Sequence, residues 1–123
     1  MSDHLAVTNL TRGQRIADRV RLADDWGSRL RGLLGRGSLD AGEGLLLMPC
    51  RAVHMLGMRF SLDVAFLDAT GVVVAIYHSL APGSHSGWHA QAAVALEVPS
   101  GTLATTGTRE GDALQWGPAQ EAA

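Results

Sequence analysis

The sequence has no lysine, a single cysteine and few aromatic residues, and these shortages exclude several classes of protein. All ten basic residues are arginine and twelve residues are acidic, which gives a net charge of −2. One cysteine excludes an intramolecular disulfide framework. Aromatic residues make up 5% of the chain, so the core must consist chiefly of Leu, Val and Ala. The longest apolar runs are far shorter than the roughly 20 residues of a membrane-spanning helix.

The N-terminus has neither a basic start nor a long apolar stretch, so we expect no signal peptide and a cytoplasmic location. A length of 123 residues is typical of one domain. We expect that domain to cover residues 1–117, followed by a frayed tail at 118–123. Hydrophobic residues reach 46% and charged residues 18%, which indicates a folded rather than a disordered chain.

Arginine is concentrated near the N-terminus, where residues 12–36 hold seven Arg against three Asp. A basic segment of this kind can meet an anionic partner, but it is also typical of a solvated strand and helix face. The chain has no basic tail, no aromatic stacking pair and no nucleic-acid motif. We therefore expect no nucleic-acid partner.

Hydrophobic periodicity predicts a mainly β fold. Alternating or short apolar runs predict strands at 5–9, 15–22, 45–48, 62–67, 72–77, 93–98 and 113–116. An apolar stripe at helical spacing predicts one helix over 26–36, and residues 100–107 have room for one helical turn. The segment 79–90 is rich in Pro, Gly and Ser and is expected to be a loop. Together these elements predict a β-sandwich or partly open barrel of seven to eight short strands with one packed α-helix.

Five segments carry a resemblance to a known family. They are RLRGLLGR (29–36), GLLLMPC (44–50), VHMLGMRFSLDVAFLDATGVVVA (53–75), ALEVPSG (95–101) and REGDAL (109–114). In order and spacing, over about residues 26–116, they resemble the domain of unknown function 192 family. The resemblance implies a small prokaryotic domain of jelly-roll-like architecture, with no established reaction, cofactor or catalytic residue. The chain departs from the family pattern at Ser61, where Pro is frequent, and at 56–58, where a Lys-Asn-Thr stretch is frequent.

Two carboxylates within predicted strands are candidate site residues. Asp63 enters an apolar strand, where a carboxylate is costly unless it has partners. It either caps backbone N–H groups, pairs with an arginine such as Arg31 or Arg36, or acts as a ligand-binding or catalytic carboxylate. Glu97 alternates with apolar neighbours. It is either a solvated outward residue, a partner for an arginine, or a second carboxylate in one cleft with Asp63. Two carboxylates in one cleft could share a proton or hold a cation.

Cysteine and histidine occur at spacings that suit a metal. Cys50 and His54 form Cys-x3-His, and His85 and His89 form His-x3-His, which together could build a zinc site. Cys50 with His54 as a base could also act as a nucleophile. Methionines near Cys50, namely Met48, Met55 and Met58, would suit copper, although methionine is more often core filling. Because the second pair lies in a predicted loop, we expect no resident cofactor or metal.

The most economical hypothesis is a non-enzymatic module that binds a small polar ligand or a protein partner. Its expected site is a shallow polar cleft around Asp63, with His54, Arg59, Glu97 and Trp88 as further ligand-binding candidates. One alternative is a small metal-assisted hydrolase that uses the Cys and His candidates with Asp63. A second alternative is a structural domain that interacts through exposed sheet edges.

Overall fold

A computed structural model describes residues 4–25, 33 and 35–119 of the chain. The helix predicted over 26–36 falls mostly on residues 26–32 and 34, which lie outside the described residues. Within the described ranges, no helix has the length and apolar character needed to span a membrane.

Seven strands and one short helix account for the regular structure of the described residues. The strands are β1 (Leu5–Asn9), β2 (Gln14–Ala23), β3 (Glu43–Leu47), β4 (Leu62–Leu67), β5 (Val73–Leu80), β6 (Val94–Pro99) and β7 (Leu114–Pro118). The helix α1 covers Thr102–Thr105. The predicted mainly β fold with one helical turn after the sixth strand is confirmed.

All seven strands belong to one sheet in the order β5-β4-β6-β3-β2-β1-β7. Only β2 and β3 run parallel, and every other neighbouring pair is antiparallel. A parallel pair needs a crossover connection, usually through a helix. That connection is the segment 24–42, where the sequence predicts the helix.

The sheet curls until its two edge strands meet at one end. Val72 and Ala113 form an isolated antiparallel bridge, and the N–H of Leu114 donates to the carbonyl oxygen of Gly71 at 2.9 Å. Most of β5 and β7 does not pair across this seam, so the sheet is a partly open barrel. The sequence offered a sandwich or a partly open barrel, and the single curled sheet is the second of these.

The meeting of the edges requires glycine at position 71. Its φ is +91°, and a Cβ there would lie 2.6 Å from the carbonyl oxygen of Leu114. Any side chain would therefore push β7 away from the start of β5.

Both faces of the sheet are apolar, so the molecule has two core layers. We call them the inner face, enclosed by the barrel, and the second face, covered by loops. Buried residues of the inner-face cluster include Val7, Val20, Leu46, Ala65, Leu67, Leu96 and Val98. Those of the second-face cluster include Ala23, Leu33, Leu45, Val53, Met55, Val64, Phe66 and Ala95. Since both faces are covered, all six residues of β4 are buried.

The last strand continues further along the chain than the sequence predicts. β7 continues to Pro118, which pairs with Leu5, and the N–H of Ala119 donates to the carbonyl oxygen of His4 at 3.2 Å. Proline is tolerated at the edge of a sheet because the N–H it lacks is not needed by a neighbouring strand there. The strand predicted at 113–116 therefore extends two residues further, to Pro118.

Candidate functional site

Asp63 is a fully buried carboxylate that holds backbone groups at one end of the barrel. Its Oδ1 accepts a hydrogen bond from the N–H of Ser79 at 2.8 Å. Its Oδ2 accepts from the N–H groups of Gly101 and Leu103, both at 3.0 Å. The last two groups open α1 and have no acceptor within the helix. Of the roles that the sequence allowed, the contacts match the capping role, and both oxygens already have donors.

Glu97 lies on the other side of the sheet. In the register of β4 and β6, Asp63 pairs with Val98 and Val64 pairs with Glu97. Paired residues on neighbouring strands point to the same face. Val98 belongs to the inner face and Val64 to the second face. Asp63 and Glu97 therefore do not share a cleft, although they are close along the sheet.

Glu97 is buried among apolar side chains. Its side chain is 6% exposed, and Leu45 and Val64 occupy the paired positions on the two adjacent strands. The structure records no hydrogen bond or ion pair between its carboxyl and any described residue. Burial raises the pKa of Glu97 to about 7. Of the alternatives that the sequence left open for Glu97, the solvated outward position does not match this burial, because the second face is covered.

The cover of the second face includes two loops, 48–61 and 81–93, which we call the loop pair. Val53 and Met55 of the first loop and Ala92 of the second are buried in the second-face cluster. These side chains attach the loop pair to the sheet.

Backbone hydrogen bonds join the two loops to each other. His54 and His85 form an isolated antiparallel bridge. Beside it, the N–H of Met55 donates to the carbonyl oxygen of Ser84 at 2.7 Å, and that of Ser86 donates to Val53 at 2.8 Å. The loop predicted at 79–90 thus has an ordered partner in the first loop, which precedes β4.

The zinc hypothesis needs Cys50, His54, His85 and His89 together, whereas the bridge between the loops sets His54 beside His85. Among the residues that the structure describes, no three His, Cys, Asp or Glu side chains form a group that could hold a metal. The Cys50 thiol donates to the carbonyl oxygen of Ala52 at 3.2 Å. His54 and His85 are both exposed. The constellation required by the metal-assisted hydrolase hypothesis is therefore not assembled, and Asp63 lies on the opposite face of the sheet.

His89 packs into the end of the second-face core. Its Nε2 is 2.8 Å from the hydroxyl oxygen of Tyr77, and its ring lies 4.6 Å from the ring of Phe66 between centroids. The same Tyr77 oxygen accepts a hydrogen bond from the N–H of Gly87 at 2.9 Å. This small aromatic cluster fixes the backbone on both sides of Trp88.

The exposed surface of the loop pair combines apolar and cationic groups. Trp88 and Leu56 are each 71% exposed, the highest values among the large apolar side chains of the described residues. Arg51 and Arg59 are exposed on the first loop. Neither loop contains an Asp or Glu, although the chain has twelve. Three of the five histidines also lie in the loop pair.

Sequence reasoning missed a buried polar network at the closed end of the barrel. Asp112 accepts hydrogen bonds from Arg12, from the side-chain amide of Asn9 at 2.9 Å and from the N–H of Arg109 at 3.0 Å. Arg12 and these further donors lower the pKa of Asp112 to about 2. The Arg-Glu-Gly-Asp turn at 109–112 was a signal for this network, but nothing local connects it to β1.

A shallow groove of about 470 Å³ lies elsewhere, on β1, β2 and β7. Its lining residues are Ala6, Thr8, Arg15, Gln115, Trp116, Gly117 and Pro118. None of the site residues expected from the sequence lines it. The expected polar cleft around Asp63 is therefore not this groove.

Comparison with known proteins identifies the family. The family model DUF192, described as Uncharacterized ACR, matches residues 7–116. The chain belongs to this family. The resemblance drawn from the sequence is thus confirmed, and the DUF192 match begins earlier than the predicted start near residue 26. None of the curated proteins matches this DUF192 chain.

Two solved structures share the fold of this DUF192 protein. A protein of unknown function from Novosphingobium aromaticivorans DSM 12444 has a TM-score of 0.78 and 24% identity, over 91% of this chain and 83% of its own. A "putative transcription regulator" from Sinorhizobium meliloti 1021 has a TM-score of 0.74 and 25% identity, over 94% of this chain and 96% of its own. The fold is therefore shared over nearly the whole chain.

Proposed function

We propose that this DUF192 protein is a non-enzymatic binding module whose loop pair holds an acidic segment of a partner protein. The observation that carries this proposal is the composition of the exposed loop surface. It presents Trp88, Leu56, Arg51 and Arg59 and has no acidic residue. An acidic segment would therefore meet no like charge on either loop.

The apolar part of this surface supports a protein partner. An isolated exposed apolar residue is ordinary, but tryptophan and arginine are the residues most often found at the energetic centre of protein interfaces. Trp88 and Arg51 are close along the bridged loops, because the N–H of His89 donates to the carbonyl oxygen of Arg51 at 2.8 Å. A partner could cover the indole while its carboxylates meet the guanidinium.

The rigidity of the loop pair also supports a binding role. Its backbone is fixed by the hydrogen bonds between the loops and by the bond from Gly87 to Tyr77. A surface that is already ordered loses less conformational entropy when a partner binds. This preorganisation is more typical of a surface that recognises a partner than of a loop that is only solvated.

Nucleic acid fits the same surface less well. Sequence-independent binding to a phosphate backbone commonly uses about 6–10 cationic contacts. The loop pair has two arginines, and no lysine occurs in the chain. Two permanent charges suit a short acidic segment better than a polyanion.

A display library of short random peptides tests the proposal. Peptides selected on the wild-type protein are expected to be enriched in Asp and Glu next to an apolar residue. Their binding should weaken about tenfold or more in Trp88→Ala and in Arg59→Glu, a change of about 1.4 kcal/mol. The matched controls are Leu10→Ala and Arg21→Glu, which remove an exposed leucine and reverse an exposed arginine outside the loop pair.

The proposal fails if the selected peptides are not acidic or if they bind the controls and the loop variants equally. Single-stranded DNA is tested beside the peptides. Preferential binding of DNA to the wild-type protein, lost in Arg59→Glu, would assign the loop pair to nucleic acid instead.

A further inference from the structure

The groove on β1, β2 and β7 opens on the side of the sheet that faces away from the barrel interior. Val7 on β1 and Trp116 on β7 contact the inner-face cluster. Because successive side chains of a strand point to opposite faces, the lining residues beside them point away from that cluster. In the described part of the chain, the second-face cluster includes no residue of β1 or β7, so this end of the sheet has no part in that core layer.

Two rows of paired residues give the groove a polar side and a floor of small residues. In the strand register, Arg15 pairs with Thr8, which in turn pairs with Gln115, so three polar residues form one row across three strands. The next row on the same side is the pair of Ala6 and Gly117. Since these two residues have almost no side chain, the surface of the sheet is lower there than beside the polar row.

Gly117 has no structural requirement for glycine. Two glycines lie within the described strands, Gly44 and Gly117. A Cβ at Gly44 would lie 3.0 Å from the carbonyl oxygen of Glu97, whereas a Cβ at Gly117 would meet no atom within 4 Å. The backbone at Gly117 is outside the left-handed region, and the register of β1 and β7 has no bulge. Glycine weakens a strand, and apart from bulges and bends it marks places where a ligand or another backbone approaches closely.

Arg15 supplies the charge of the groove, because it is the one ionisable side chain among the lining residues. Its Nε donates to Thr8 Oγ1 at 2.9 Å, which orients the guanidinium along the polar row. A guanidinium has five N–H donors, so this bond does not exhaust it. Within the described strands β1, β2 and β7, the one acid is Asp18, which lies 3.8 Å from Arg19. A volume of about 470 Å³ is within the range of small-molecule sites.

We propose that this groove binds a small organic carboxylate, with the carboxylate on Arg15 and the apolar part of the ligand over Ala6 and Gly117. The planar guanidinium matches the geometry of a carboxylate. The hydroxyl of Thr8 and the amide of Gln115 supply further donors beside it. A single cation suits a monoanion better than a phosphate group, which carries up to about two charges at neutral pH.

An NMR titration of the full chain tests the proposal. The probes are hexanoate and phenylacetate, each compared with the neutral amide of the same shape, hexanamide or phenylacetamide. At least one carboxylate is expected to shift the backbone amide signals of Thr8, Gln115 and Gly117 with a dissociation constant of about 1 mM. Its amide should bind at least tenfold more weakly, because it lacks the charge that meets Arg15.

Three results of the titration would overturn the proposal. The first is that neither carboxylate gives a saturable shift at the groove. The second is that a carboxylate and its amide bind equally well. The third is that inorganic phosphate binds the groove more tightly than either carboxylate, which would assign the site to phosphate.

Two variants separate a ligand site from a feature of the fold. Gly117→Val fills the groove, and since valine is favoured in strands, stability in urea should equal or exceed that of the wild type. Carboxylate binding should nevertheless fall at least tenfold. Arg15→Gln should weaken carboxylate binding at least tenfold and leave binding of the amide unchanged. The matched controls are Gly37→Val and Arg21→Gln, which replace an exposed glycine and an exposed arginine outside the groove and should bind as the wild type does.

Wild-type affinity in Gly117→Val or in Arg15→Gln would contradict the proposal. A clear loss of stability in Gly117→Val would show that the fold itself requires glycine there, which would remove the argument for a ligand. These experiments use no peptide and no variant of the loop pair. The groove proposal can therefore fail while the proposed binding function stands, and the reverse also holds.

Discussion

Asp63 and Glu97 are buried carboxyls on adjacent strands, and their surroundings are opposite. Asp63 receives three backbone N–H groups through its two oxygens. Glu97 receives none from the described residues and lies between two apolar side chains. The first carboxyl replaces its lost water with hydrogen bonds, and the second has no such bonds within the described part of the chain.

The difference shows that burial alone does not define the role of a carboxyl. A buried acid that accepts several backbone N–H groups fixes local structure and is not available to a ligand. A buried acid without donors is held at an energetic cost, which makes its protonation sensitive to how well the protein covers it. In this protein the first kind lies at the barrel end and the second lies on the second face of the sheet.

Removal of the Asp63 carboxylate should have the largest effect on stability. Asp63→Ala leaves the N–H groups of Ser79, Gly101 and Leu103 without their acceptor. An unpaired group costs about 1–3 kcal/mol where it is buried, as that of Leu103 is, and less at the part-buried Ser79 and Gly101. We expect the free energy of unfolding in urea to fall by about 3 kcal/mol. Asp63→Asn, which keeps one acceptor oxygen, should lose about half as much. A loss below about 1 kcal/mol for the alanine variant would show that these three hydrogen bonds contribute little to the stability of the barrel end.

Replacement of Glu97 by Gln should raise the free energy of unfolding relative to wild type, and it should do so only at higher pH. Because its folded pKa is raised from 4.5 to about 7, the wild-type protein loses stability as the pH rises between these values. Glu97→Gln cannot ionise. Its unfolding free energy, measured relative to wild type, should therefore increase by about 3 kcal/mol between pH 4.5 and pH 8.5. A constant difference across this range would contradict the comparison with Asp63.

Much of the fold follows from local sequence patterns, because each strand has its own apolar alternation. The hairpin of β4 and β5, the strand before Pro99 and the turn at 100–107 are all visible in that way. The strand order is not, because the parallel pairing of β2 with β3 and the meeting of β5 with β7 join residues far apart in the chain. The groove on β1 and β7 has no local signal for the same reason.

The site residues show the same limit. Asp63 could be selected as costly from its apolar neighbours, and a capping role could be anticipated, but its donors lie 16 to 40 residues away. The alternation around Glu97 is that of a half-exposed strand. Its burial becomes visible only in the structure, where the second face is covered. The His-x3-His spacing suggested a ligand pair, whereas the bridge between the loops sets His85 beside His54.

Asp112 is a third buried carboxyl, and its partners include a charged side chain that is partly exposed. Arg12 donates to both oxygens of Asp112 at 3.0 and 3.2 Å and is itself 38% exposed. The pKa of Asp112 is lowered from 3.8 to about 2, so this group contributes stability above pH 3.8 and loses it as the pH falls through 2. Arg12→Ala should cost about 1–2 kcal/mol at pH 7 and flatten the acid limb of the stability curve, as measured by thermal unfolding at several pH values. An unchanged acid limb would assign the low pKa to Asn9 and the backbone donors instead.

The smallest effect on stability is expected from replacement of Trp88. A residue that serves recognition contributes little to the free energy of unfolding, whereas a core residue contributes much. Its indole is 71% exposed, so Trp88→Ala should change the free energy of unfolding by no more than about 0.5 kcal/mol. Trp116 is half-buried and packs against the inner-face cluster, so Trp116→Ala should cost several times more. Chemical denaturation of the two variants measures both values. If Trp88→Ala were as destabilising as Trp116→Ala, the indole would be part of the packed core, and its exposure would no longer support a binding role for the loop pair.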